Sequence, residues 1–324
     1  MFTSRSILLG CLLLLAALVS VLISLASGSV AIPLGELLTP SDPIHYQILH
    51  ELRLPRTLAA FATGAMLAVA GVIMQVLLRN PLADPYILGI SGGAAAAALT
   101  SILLGAAGMW VPQAALLGAL ASIALVFGVA GLGSNRSVTR LLLTGVVVSA
   151  GWGAIINILL TASATNTVQS MLFWLMGDLS QSRPGLWHAV ILVAGCLVVG
   201  ASARSLNVML RGDQQAMALG IDLRVMRGLL FITASLLTAS AVTMAGSIGF
   251  VGLVIPHTLR LLGARDHRLL LPYSFLLGGS FLVLADCLAR TVIAPQQLPV
   301  GVVTAVIGVP VFLLILRRTL VLAP

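Results

Sequence analysis

The 324-residue sequence contains no lysine, and only nine acidic residues accompany its 17 arginines. The first absence excludes an ordinary Walker A site, because G-x-x-x-x-G-K-[ST] needs a lysine on the nucleotide phosphates. ATP-driven work would therefore have to come from another chain. Charged residues make up 8% of the sequence against 59% hydrophobic, with a mean hydropathy of +1.12. So little polar surface cannot cover a soluble globule of this length. Cysteine is scarce as well: Cys11, Cys196 and Cys287 lie far apart inside apolar segments, which points to neither a disulfide framework nor a metal site. No nucleophile or ligand constellation such as H-E-x-x-H occurs, which argues against an intramembrane enzyme. No cofactor and no nucleic-acid partner is expected.

What the sequence does have is a succession of apolar segments, each of roughly the 20 residues that cross a bilayer as a helix. They fall near 7–27, 57–78, 91–107, 112–132, 139–163, 186–203, 227–246, 249–263, 270–290 and 299–316. The third and eighth are short and Gly-rich or Pro-broken. The expected fold is all-α, one polytopic membrane domain over residues 1–324 with about ten transmembrane helices. The first apolar run, Ile7 to about Ala26, exceeds the roughly 7–15 residues of a secretory signal and is read as a retained span. "LLGC" at Leu8 to Cys11 is like a lipoprotein cleavage box, but the run continues well beyond the cysteine. With Arg5 inside, 13 arginines lie on the inner side and four, Arg53, Arg56, Arg183 and Arg290, outside. The positive-inside rule then puts both termini in the cytoplasm.

Ion coupling normally shows as acidic or histidine residues within the spans. Here only Asp286 sits in one, four residues before Arg290, where an i, i+4 salt bridge would lower the cost of both charges. The spans are expected to form a passive conduit or scaffold. Two inner segments look structured. "RNPLADPYILGISGGAAAAA" from Arg79 is a Gly/Pro-interrupted re-entry that belongs against protein or a water-lined cavity. "RGDQQAMALGIDLRVMRG" from Arg211 to Gly228 reads as a short helix capped by Asp213 and ended by a left-handed Gly220, with Asp222 capping the next span. A short amphipathic helix at a membrane face is a docking shape, although a merely solvated loop would have the same composition. Along 139–163, Gly145, Ser149, Gly153 and Asn157 recur every four residues as a small or polar ridge. Close helix packing explains such a ridge as well as a pathway does. Met66 and Met74 read as packing, and His45, His50 and His257 do not converge on a haem ligand set.

"RLPR", "NPLADPYILGIS", "GFVGLVIPHTLRLLG", "DHRLLLP" and "LADCLARTVIAPQQLPVGVVTAVIGVPVFLLIL" together resemble the FecCD-type permease subunits of binding-protein-dependent ABC importers for iron chelates, haem and vitamin B12. The resemblance runs nearly end to end. It implies a bacterial inner-membrane complex with two copies of an ABC ATPase subunit, a second permease copy or homologue, and a periplasmic substrate-binding protein. The cargo it implies is a ferric siderophore or haem first and vitamin B12 second. By that resemblance Arg53, Arg56 and Arg290 would meet acidic residues of the binding protein, with lipid anchoring (Arg53, Arg56) and the Asp286 pair (Arg290) as competing roles. It assigns ATPase coupling to the cytoplasmic loop 205–226, at Asp213, Ala216, Met217, Ala218, Leu219, Gly220, Ile221 and Asp222. Pathway and gate positions would be Val138, Thr139, Gly145, Ser149, Gly153 and Asn157. At the gate this chain has Val-Thr where the vitamin B12 permease has Thr-Ser, which weakens that transfer. An ion-coupled secondary transporter or channel is the alternative class.

Overall fold

The computed structural model describes residues 4–28, 30, 32–37, 42–106, 110–130, 138–180 and 182–321. Among them every regular element is helical. In chain order the α-helices are α1 (Ser4–Ala26), α2 (Pro43–Gln47), α3 (Leu54–Leu77), α4 (Ile90–Leu103), α5 (Trp110–Ala130), α6 (Val138–Ala162) and α7 (Thr165–Leu175). They continue with α8 (Leu186–Ala201), α9 (Ala203–Met209), α10 (Asp213–Ala218), α11 (Leu223–Ala245), α12 (Val251–Leu261), α13 (His267–Thr291) and α14 (Val300–Val321). Each of the ten apolar segments coincides with one of them: α1, α3, α4, α5, α6, α8, α11, α12, α13 or α14. Six helical stretches are long and apolar enough to cross a membrane; α8 with α9 makes a seventh, bent by 56° between them, and α4, α12 and the apolar part of α14 are shorter. The ends of the bundle are named here by the arginine asymmetry, outer for the ends of α1 and α13 and inner for the region of α9 and α10.

Local chemistry sets several boundaries. Asp42 accepts a hydrogen bond from the Ile44 amide and Pro43 takes the first turn of α2. From there the chain stays helical through a π-turn at Ile48–Arg53 into α3, a single run of 35 residues. The segment before the second span is thus helix. Asp222 and Asp266 cap α11 and α13 through the amides of Arg224 and Arg268. The Arg268 amide, with the Asn207 side chain, holds the Asp266 carboxyl below the usual carboxylate range. Asp266 lies before the membrane-spanning part of α13.

α3 is the axis. In the most apolar window of its run 83% of residues are buried, against 11% for α6. α13, α11 and α12 pack along it. The approach is close because glycine meets glycine: a Cβ on Gly71 would lie 1.9 Å from the Gly252 carbonyl oxygen of α12, and one on Gly64 2.2 Å from that of Gly278 on α13. Small residues let helix backbones touch where lipid offers no hydrophobic drive to associate. α1 is peripheral and runs along α13, fastened at its inner end by the Tyr273 hydroxyl donating to the Ser6 carbonyl at 2.5 Å. α4 and α5 pair closely, and α6 lies outside them with Leu143, Val147 and Ile158 exposed.

Candidate functional site

At the outer end, the start of α3, the end of α13 and the segment before α8 bring all four outer arginines to one cavity of about 600 Å³, with Glu51 and Gln297 also at its wall. Arg53 and Arg56 open α3, Arg290 closes α13, and Arg183 lies just before α8. Three of the four are not free surface charges. Arg56 grips Asp286 bidentately, Nη2 to Oδ1 at 2.8 Å and Nε to Oδ2 at 3.1 Å, and donates through Nη1 to Gln297 Oε1 at 2.8 Å. Arg290 approaches the second oxygen of the same carboxylate, Nε to Oδ2 at 3.1 Å, and donates to Ser24 Oγ at 2.8 Å. Arg53 donates to the carbonyls of Leu25 at 2.7 Å, Ala26 at 3.0 Å and Val30. It thereby satisfies carbonyls left unpaired at the end of α1 and sits at the negative end of that helix dipole.

These contacts correct the expectation of outward-facing guanidinium groups: Arg53, Arg56 and Arg290 are 5%, 8% and 9% exposed, and Asp286 is fully buried. The expected i, i+4 pair of Asp286 and Arg290 is present, but it is one arm of a two-arginine clamp that the sequence did not reveal. Arg183 is the exception, exposed and without a partner among the described residues. The lining holds four arginines and Glu51, with Asp286 behind it, so the cavity carries a positive excess that suits a carboxylate.

The inner end presents α10. Ala216 is fully buried, while Met217 is 57% and Leu219 70% exposed, an apolar pair pointing off the bundle. Gly220 has φ +79, the expected left-handed helix end, and Asp222 caps α11 through the amides of Arg224 and Val225. Ala218 is exposed and Ile221 half-buried between them. Asp213 does not cap α10, which is a correction. The cap position belongs to Gly212, and the Asp213 carboxylate instead takes hydrogen bonds from Arg79, at the end of α3, and Arg227 of α11, the latter at 2.7 Å. Neither arginine is marked by local sequence, because the groups that use them lie 134 and 14 residues away.

The ridge on α6 divides. Gly145 packs on the turn at Pro85–Leu88, where a Cβ would meet the Ile87 carbonyl oxygen at 2.4 Å, and the Ser149 hydroxyl lies against Gly89. Gly153 has open space around it and Asn157 is exposed. Thr139 is exposed, whereas the side chain of Val138 lies outside the described residues. The interrupted segment after α3 is held by its own polar groups: Asp84 accepts from the Tyr86 amide, the Ile248 amide donates to the Tyr86 hydroxyl at 3.1 Å, and Ser91 donates to Ser247 at 2.8 Å. Burial pushes the Asp84 carboxyl above its usual range. Met66 and Met74 are fully buried in the helix core, and among the described residues no three potential metal ligands come together.

The chain is similar to known transport proteins over most of its length. Residues 13–318 match the model of the FecCD transport family. The chain is 40% identical to YvrB of Bacillus subtilis, an uncharacterized ABC transporter permease, over 93% of this chain and 90% of that protein. It is 39% identical to the cobalamin import system permease BtuC of Halobacterium salinarum, over 97% and 89% of the two chains. Identity to the vitamin B12 import permease BtuC of Klebsiella pneumoniae is 38%, over 98% and 95%. Among solved structures, an inward-facing ABC transporter of metal-chelate type superposes with a TM-score of 0.84 at 31% identity, over 94% of this chain and 97% of that one. The chain, a helical bundle with a glycine-packed axis that ABC permeases match over almost its whole length, belongs to the FecCD transport family.

Proposed function

We propose that the protein is the permease subunit of an ABC importer that carries a large metal chelate inward, a ferric siderophore, haem or cobalamin, powered by a separate ATPase. The observation that supports this most is the near full-length similarity to ABC permeases, two of them cobalamin permeases. The missing lysine agrees with ATP hydrolysis on a partner chain. In this reading two permease copies span the bacterial inner membrane about ten times each, with both termini in the cytoplasm. An acidic binding protein docks over the outer cavity and two ATPase subunits seat on α10. Arg183 is the accessible docking contact, while Arg53, Arg56 and Arg290 set the field of the cavity wall. The exposed Met217 and Leu219 are the apolar contacts to the ATPase, and the open half of α6 around Gly153 and Asn157 lines the pathway at the axis of the dimer.

The alternative, ion-coupled transport, needs a carboxylate that exchanges its proton with water. Asp286 has no exposed surface and is held between two guanidinium groups, so it lacks the contact with water that a proton relay needs. The test is uptake into proteoliposomes holding the permease, its ATPase and its binding protein, offered cyanocobalamin, haem and a ferric hydroxamate in turn. ATP-dependent accumulation of one of them is expected. Accumulation driven by a proton or sodium gradient without ATP would overturn the assignment.

A further inference from the structure

We propose that Arg79, Asp213 and Arg227 form an ionic joint through which movement of α10 reaches α3, and that α3 carries the movement to the arginine cavity at its far end. The inference rests on α10 being the contact to the ATPase. Arg79 Nη2 and Arg227 Nη2 donate to the same oxygen, Asp213 Oδ1, so three elements meet at one atom. α10 has few other ties. Gly212 and Gly220 bracket it at φ +123 and φ +79, and neither would meet a neighbour if given a Cβ. Its direction is therefore set by the buried Ala216 and by the Asp213 carboxylate.

The backbone at Arg79 supplies an independent reason. The Arg79 amide donates to Val76 O and the Asn80 amide to Gln75 O, both at 3.2 Å, closing a turn whose left-handed residue is best filled by glycine. Arg79 fills it at φ +48, which costs an L-residue roughly 1 kcal/mol. The turn does not need a side chain there; the bond to Asp213 does. Exposed ion pairs contribute little to net stability, so the cluster steers α10 without holding the fold together.

α3 suits the transmission. Its 24 residues span about 36 Å, and close glycine contacts to α12 and α13 leave no slack for local bending. Its outer end carries Arg53 and Arg56, tied to α1 and α13. A tilt imposed at Arg79 therefore arrives at the cavity as a rigid-body displacement of two of its arginines.

The test uses the complex of permease and ATPase in nanodiscs, with Cys11, Cys196 and Cys287 replaced by alanine and Ser180→Cys as a reporter at the cavity. The probe is the rate of maleimide labelling with and without MgATP and vanadate. The parent is expected to change rate by about fivefold or more on trapping. Arg79→Gly, which relieves the backbone strain, should keep or raise the melting temperature and retain the bound ATPase, yet lose the change; Arg79→Lys should restore most of it. A parent-like response in Arg79→Gly, with the response lost in Leu219→Asp, would overturn the joint alone. No response in the parent, or a full response in Leu219→Asp, would overturn the assignment of α10 and the joint with it.

Discussion

Asp286 holds two arginines contributed by helices more than 200 residues apart in sequence, and without it both charges would be buried and unpaired. Asp286→Ala is expected to destabilise the permease by about 3–5 kcal/mol, seen as a lowered melting temperature in detergent. A melting temperature equal to wild type would mean that the clamp does not hold α3 to α13. The same geometry separates folding from docking. Reversing Arg56 or Arg290 to Glu sets like charges against Asp286 and should damage the fold, whereas Arg183→Glu should leave the melting temperature unchanged. It should slow binding-protein association, more at low ionic strength than at high. An association rate and salt slope equal to wild type would remove Arg183 from the docking surface. At this scale the sequence showed the Asp286–Arg290 pair because helical spacing makes it local. It could not show Arg56, since no pattern links residues 230 positions apart.

For α3 the decisive property is the absence of side chains at its contacts. A Leu at Gly71 would have to push the Gly252 backbone of α12 away, and overpacking of that kind costs about 1–3 kcal/mol or more. Gly71→Leu should reduce the yield of folded protein, while Gly151→Leu on α6, which meets open space, should not; folded yield after solubilisation compares the two. On α10, Gly220→Val forces a β-branched residue into φ +79, at about 1 kcal/mol or more locally. The permease should insert normally, with lower ATP-dependent uptake. Unchanged uptake would show that the helix end does not matter to coupling. Gly220 and Asp222 were legible because capping chemistry is local. Asp213 was misassigned because a carboxylate at a helix start reads as a cap, and the two arginines that claim it come from other elements. α7 was missed because four of its first five residues, Thr165, Asn166, Thr167 and Gln169, are polar and its length falls short of a span.

For the whole molecule, the ten apolar segments and the class were legible because a bilayer imposes length and composition on each helix separately. The packing order was not, because contact between helices depends on where small residues face. The assigned topology makes a direct prediction: cysteine at Leu52, 62% exposed, and at Leu219, 70% exposed, should label with an impermeant maleimide from opposite sides of the membrane. Labelling from one side would require an odd number of crossings fewer or more.

The fastening of α1 has a consequence for synthesis. Arg290 reaches Ser24 across 266 residues and Asp286 reaches Arg56 across 230, so the first helices made are locked by the last but one. Until α13 leaves the ribosome and inserts, Arg56 lacks its carboxylate and the end of α1 lacks one of its two guanidinium partners. A nascent chain halted before residue 267 would thus carry an unneutralised arginine at the membrane edge.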